Sequence, residues 1–93
     1  MSVPIHDFRT DSPPPGGYQY YKRLNLYTGI HMPIRVLFDE QGSAMGADRL
    51  DAQQQAFVRN ANLISETEIS PLIEELSKAE FDECCQTYLK HHS

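Results

Sequence analysis

The stretch from Leu76 to His92 leaves this chain the least conformational freedom. Ser77 is followed three residues later by Glu80. In that pairing the hydroxyl caps the N3 amide and the N3 carboxylate returns a bond to the cap. Leu76 and Phe81 stand at the two positions of a hydrophobic staple. Phe81, Cys84, Cys85, Tyr88 and Leu89 then recur at helical spacing. Lys90, His91 and His92 follow, where positive charge complements the helix dipole. The spacing predicts a helix over residues 77–90. One amphipathic helix needs an apolar layer to cover its stripe. Ile73 and Leu76, just before the cap, are expected to bury against the same layer.

The first half of the chain supplies that layer with a different period. Tyr20, Leu24 and Leu26 share one parity, and Gln19, Arg23 and Asn25 the other. This alternation predicts a half-buried strand, closed by a turn at Thr28-Gly29. Ile34, Val36 and Phe38 alternate with Arg35 and Asp39, with Leu37 on the outer side and Pro33 at the strand start, where it is tolerated. Gly42 permits the turn after Asp39, and a third strand returns from Ser43 to Leu50 as an antiparallel meander. Residues 48–64 admit two readings. Leu50, Phe57, Ala61 and Ile64 could line one helix. Alternatively, Asp51 to Gln55 form a loop, Ala56 to Arg59 a short strand, and Asn60 caps a short helix. The preference of Asn60 and Asn62 for caps and turns favours the second. The expected class is α+β, a small antiparallel sheet of about three to four strands packed with one or two helices.

Residues 1–17 hold four of the six prolines and two of the five glycines. They read as a flexible arm ahead of a single domain at 18–93. A domain of that size has little depth for an elaborate pocket. No apolar run is long enough to span a bilayer, and the N-terminus lacks a secretory pattern, so the expected compartment is the cytoplasm. The only cysteines, Cys84 and Cys85, are adjacent, which excludes a disulfide scaffold.

The formal net charge is -5. An acidic chain is repelled by phosphate backbones and suits a basic protein surface. Glu66, Glu68, Glu74, Glu75, Glu80, Asp82 and Glu83 crowd the second half without a calcium-loop pattern. Charge on solvated helix faces explains such a run, and so does a docking surface for a basic partner. The partner-binding candidates are Glu66, Glu68, Glu74 and Glu75, joined by Tyr21 and Tyr27 as outward tyrosines with large contact area. No catalytic residue, metal site or cofactor is expected. Adjacent helical cysteines diverge by about 100° and cannot share an ion as a spaced pair does, and neither has a base placed beside it in the sequence.

In outline, the order of turn, aromatic–valine strand, acidic segment and capped final helix resembles small bacterial and phage proteins. These readings lead to a non-enzymatic protein-binding module, a stoichiometric inhibitor or immunity or anti-defence protein of bacterial or phage origin. The reading from a different class is a structural adaptor or assembly-chaperone accessory that forms homo-oligomers or joins a larger complex. Neither reading involves direct nucleic-acid or membrane binding.

Overall fold

The computed structural model describes residues 14–92. Five strands and two helices follow in the order β1 (Tyr18–Leu24), β2 (His31–Phe38), β3 (Ala44–Asp51), β4 (Ala56–Arg59), α1 (Asn62–Ile69), β5 (Ile73–Leu76) and α2 (Lys78–His91). The sheet order is β4-β3-β2-β1-β5, and every pairing is antiparallel. β1 to β4 form the expected meander. The sheet has five strands rather than three to four because Ile73–Leu76, expected only to pack ahead of the cap, pairs along β1. α1 carries the chain from one edge of the sheet to the other.

The two helices cover opposite faces. Leu63 of α1 buries against Ile34, Val36 and Ala47, with Tyr21, Met32, Ile64 and Ile73 packed around them. Phe81 and Cys85 of α2 bury against Leu50 and Phe57, with Tyr20, Leu76, Tyr88 and Leu89 around them. Two-sided cover corrects the reading of β2. Arg35 and Leu37, expected on the outer side, are buried because α2 lies over that side. β2 also starts at His31, which puts Pro33 inside the strand. The ladder to β3 begins just after it, at Ile34, so its missing N–H interrupts no bond there. Leu26 shares the parity of Tyr20 and Leu24, yet it lies beyond β1 in an exposed loop.

On the α2 side, one register row crosses the whole sheet: Leu76, Tyr20, Arg35, Asp48 and Arg59. Asp48 is 0% exposed and lies between two guanidinium groups. Arg35 Nε donates to its Oδ2 at 2.9 Å, and Arg59 Nε donates to its Oδ1 at 2.6 Å. The Arg35 guanidinium also stacks on Phe57 at 3.9 Å and on Tyr18 at 4.5 Å from the ring centroids.

Local chemistry sets the boundaries. The loop expected from Asp51 is one residue shorter, at 52–55, because Asp51 ends β3 paired with Ala56, and its carboxylate accepts from the Gln53 and Gln54 amides. Ala61 is the cap residue of α1, and the capping oxygen comes from Asn60, one residue earlier, which accepts from the Asn62 amide at 3.1 Å. Ser77 caps α2: its hydroxyl accepts from Glu80 N, and Glu80 Oε1 accepts from Ser77 N at 2.9 Å. Before β1, Gly16 N donates to Phe38 O at 2.9 Å. A Cβ on Gly16 would meet the Phe38 and Asp39 backbone inside contact distance, so only glycine fits there. The rest of the proposed arm, residues 1–13, lies outside the described residues.

Two stability predictions follow from these contacts. Asp48→Ala leaves Arg35 buried without its carboxylate and should cost about 3–5 kcal/mol, the range for breaking a buried pair. Denaturant unfolding of purified protein measures it, and a loss below about 1 kcal/mol would mean that the pair is not the buried anchor. Ser77→Ala should lower stability by about 0.5–2 kcal/mol. An unchanged denaturation midpoint would place the helix start elsewhere.

Candidate protein-binding surface

The sequence candidates gather around the β5 edge, with Tyr27 set apart from them. β5 pairs with β1 through Lys22↔Glu74 and Tyr21↔Glu75. Successive side chains of a strand point to opposite faces. Glu74 therefore lies on the α2 side, beside Lys22 at 3.7 Å, and Glu75 lies on the α1 side with Tyr21. Glu66 reaches from α1 to Arg23, with Nη1 to Oε2 at 3.2 Å. That ion pair ties the helix to β1. The four glutamates thus surround one edge of the sheet instead of forming a patch on one face.

Tyr21 is only partly a surface residue. Its ring packs against the α1-side core, and its hydroxyl donates to Gln19 Oε1 at 2.6 Å. Burial pushes its phenol pKa up, and the carboxylates of Glu75 and Glu68 add to the shift. Those two glutamates therefore share its surroundings.

Tyr27 is 99% exposed at the tip of the β1–β2 hairpin, and Leu26 is 71% exposed beside it. The loop that carries them is internally bonded. Asn25 Oδ1 accepts from Tyr27 N at 2.9 Å, Gly29 N donates to Asn25 O at 2.8 Å, and Gly29 takes a φ of 71°. Glycine reaches that conformation without the penalty a side chain would add. Leu24, Leu26, Tyr27, Met32 and Leu72 line a shallow hollow of about 320 Å³ at this end of the sheet. Ile69, at the end of α1, is also largely exposed. Sequence parity assigned Leu26 to the strand and did not single out Ile69 or Leu72. The usable signal was Asn25 four residues ahead of Gly29, a spacing that marks a side-chain-braced loop.

A second hollow of about 330 Å³ lies between α2 and the start of β2, lined in part by Lys22, His31, Glu80, Glu83, Cys84 and His91. The Cys84 thiol donates weakly to His31 O at 3.9 Å. Burial pushes its pKa up, against the opposing pull of Lys22. Burial pushes the His31 pKa down, Lys22 adds to that, and Glu74 opposes it. The Cys85 thiol is pushed up to about 12, by burial first and by Cys84 and Asp82 next. These environments keep both thiols protonated near neutral pH, whereas a nucleophile or metal ligand must be a thiolate. Among the described residues, no three His, Cys, Asp or Glu side chains are grouped to hold a metal ion, and no helix is long and apolar enough to cross a membrane.

No family model, curated protein or solved structure matches this chain.

The thiol environments generate a kinetic prediction. With a thiol-specific alkylating reagent at pH 8, Cys85 of the native protein should react about a hundredfold or more slower than in the denatured chain, because its thiolate fraction and access are both reduced. Cys84 should be modified first. Mass spectrometry of timed samples measures this, and Cys85 reacting at the denatured rate would show that α2 does not seal that face.

Proposed function

We propose that this chain is a small acidic protein-binding module that acts inside the cell by covering a basic site on another protein. A stoichiometric inhibitor or immunity or anti-defence protein of bacterial or phage origin fits that description. The observation that carries the reading is the hairpin tip, where a loop braced by its own hydrogen bonds holds Tyr27 and Leu26 in solvent. Holding a large aromatic side chain exposed in a fixed loop gives nothing to folding, but it prepays the ordering cost of an interface anchor. The carboxylates around the β5 edge, set apart from Tyr27, add a second, charged contact area of the kind that rims such anchors, and the net charge of -5 sets the sign of the partner.

Capture from the native host tests this, with a photo-crosslinking residue placed at Tyr27 and the bound protein quantified. A single partner crosslinked at low salt, with one-to-one stoichiometry, is the expected result. Tyr27→Ala should weaken its binding by about 2 kcal/mol, roughly thirtyfold, as loss of an aromatic anchor does. Glu74→Lys with Glu75→Lys should slow association more than it speeds dissociation. A bound partner whose affinity is indifferent to both changes rejects this surface. Concentration-dependent self-association in place of a partner would support the adaptor reading instead.

A further inference from the structure

We propose that the outer edge of β5 takes an extended segment of the partner protein as a sixth strand, and that the segment reads apolar-basic-basic-apolar. This rests on the protein-binding reading above and names the chemistry of the partner.

The backbone register shows which groups are open. Leu24 N donates to Leu72 O at 2.9 Å, and β1 pairs with β5 from Arg23↔Ile73 to Tyr20↔Leu76. Hydrogen-bonded and non-bonded pairs alternate along an antiparallel ladder. Leu72, Glu74 and Leu76 therefore turn their amides and carbonyls toward β1, while Ile73 and Glu75 turn theirs outward. The Ile73 amide makes a long bond to Ser70 O at 3.4 Å. β5 ends the sheet, and among the described residues no strand pairs with its outer side. The Glu75 amide and carbonyl and the Ile73 carbonyl therefore present the bonding pattern of an edge that can accept a strand.

The side chains specify the strand. β5 reads Ile73-Glu74-Glu75-Leu76, with both glutamates exposed and the two flanking apolar residues half-buried. Directly opposed cross-strand residues favour apolar against apolar and cation against carboxylate. An incoming antiparallel segment therefore places two basic residues opposite Glu75 and Glu74 and apolar residues opposite Leu76 and Ile73. The inner side already contains one such pair, Lys22 against Glu74. A second copy of β5 is a poor occupant, since an antiparallel self-pairing centred on the strand opposes outward residues to outward residues and so sets Glu74 against Glu74 with Ile73 against Glu75, or Glu75 against Glu75, of the other copy. The acidic pair thus disfavours self-pairing and favours a basic strand.

The probe is the peptide acetyl-Thr-Val-Lys-Lys-Val-Thr-amide, titrated at low salt into the full-length isotope-labelled protein and followed by NMR. Saturable shifts in the amides of residues 73–76, with cross-strand contacts to the peptide, are expected. The same peptide N-methylated at its first lysine and second valine, the residues opposite Glu75 and Ile73 whose amides face β5, or with both lysines replaced by glutamate, should bind at least tenfold more weakly. Glu75→Gln should weaken binding a few-fold. Glu75→Pro should abolish it, because it removes an amide that points away from β1 and leaves the β1–β5 ladder intact, a position where an edge strand tolerates proline. Circular dichroism checks that both variants fold. No saturable shift, shifts confined to other elements, equal binding of the N-methylated peptide, or equal behaviour of the two variants would each overturn the inference. So would contacts showing that residues 1–13, or β5 of a second copy, occupy the edge. A partner captured through Tyr27 whose affinity survives Glu75→Pro overturns the edge site and leaves the protein-binding reading standing. Failure to capture any partner removes the reading itself.

Discussion

The fold turns on one buried carboxylate. Asp48 is fully enclosed and receives a guanidinium Nε from each side, Arg35 on β2 and Arg59 on β4. Taking such charges out of water costs several kcal/mol per ion, and only good geometry with further bonding offsets it. Here the carboxylate uses both oxygens. The more buried arginine is sandwiched by Tyr18 and Phe57, whose ring faces favour a cation. Arg59 keeps almost half of its side chain in solvent, which lowers its share of the desolvation cost. The triad also fixes register. Sliding β3 by one residue would turn Asp48 toward Ile34, Val36 and Leu63 and turn Ala47 toward the arginines. Neither face would then be satisfied, so three strands are held in one alignment by a polar contact beneath α2.

That alignment determines where the exposed hairpin tip and the acidic edge fall. With β2 and β3 fixed at the centre, β4 and β5 become the two edges, and α1 must cross one face to join them. The crossing brings Glu66 and Glu68 to the β5 side, where Arg23 takes Glu66 and leaves the other acidic groups around the strand. Four carboxylates against two cations give that edge its sign. The hairpin that begins at the end of β1 brings Tyr27 and Leu26 near Leu72, just ahead of β5. The apolar tip and the acidic edge thus lie at one end of the sheet through topology, although almost fifty residues separate them in the chain.

The α2-side hollow shows how packing governs chemistry. It brings a thiol, an imidazole and an ammonium together, a set that elsewhere serves catalysis. Burial acts against that use in both titratable groups, raising the thiol and lowering the imidazole. The thiol donates to a main-chain carbonyl, and among the described residues no side-chain base accepts its proton. The hollow is best described as the margin of the α2 packing layer.

The sequence alone determined what depends on neighbours a few residues away. Residues 48–64 left two readings open, but the Ser77–Glu80 box, the staple of Leu76 and Phe81, the α2 stripe and the meander all rest on local bonding or a local period. Each was legible for that reason. The acidity and the cluster of tyrosines were equally plain, and their signs did not depend on the fold. Tertiary structure decided the rest. Whether the second face of β2 meets water or a helix cannot be read from alternation, because Arg35 looks the same exposed or buried until Asp48 is placed opposite it by pairing across the sheet. Whether Ile73–Leu76 is a linker or a strand depends on β1, about fifty residues away, offering it a ladder. Whether Leu26 joins the core or stands in solvent depends on where the hairpin turns. In each case the deciding interaction is long-range, and hydrophobic periodicity records only that a side chain can be buried, not which surface arrives to bury it.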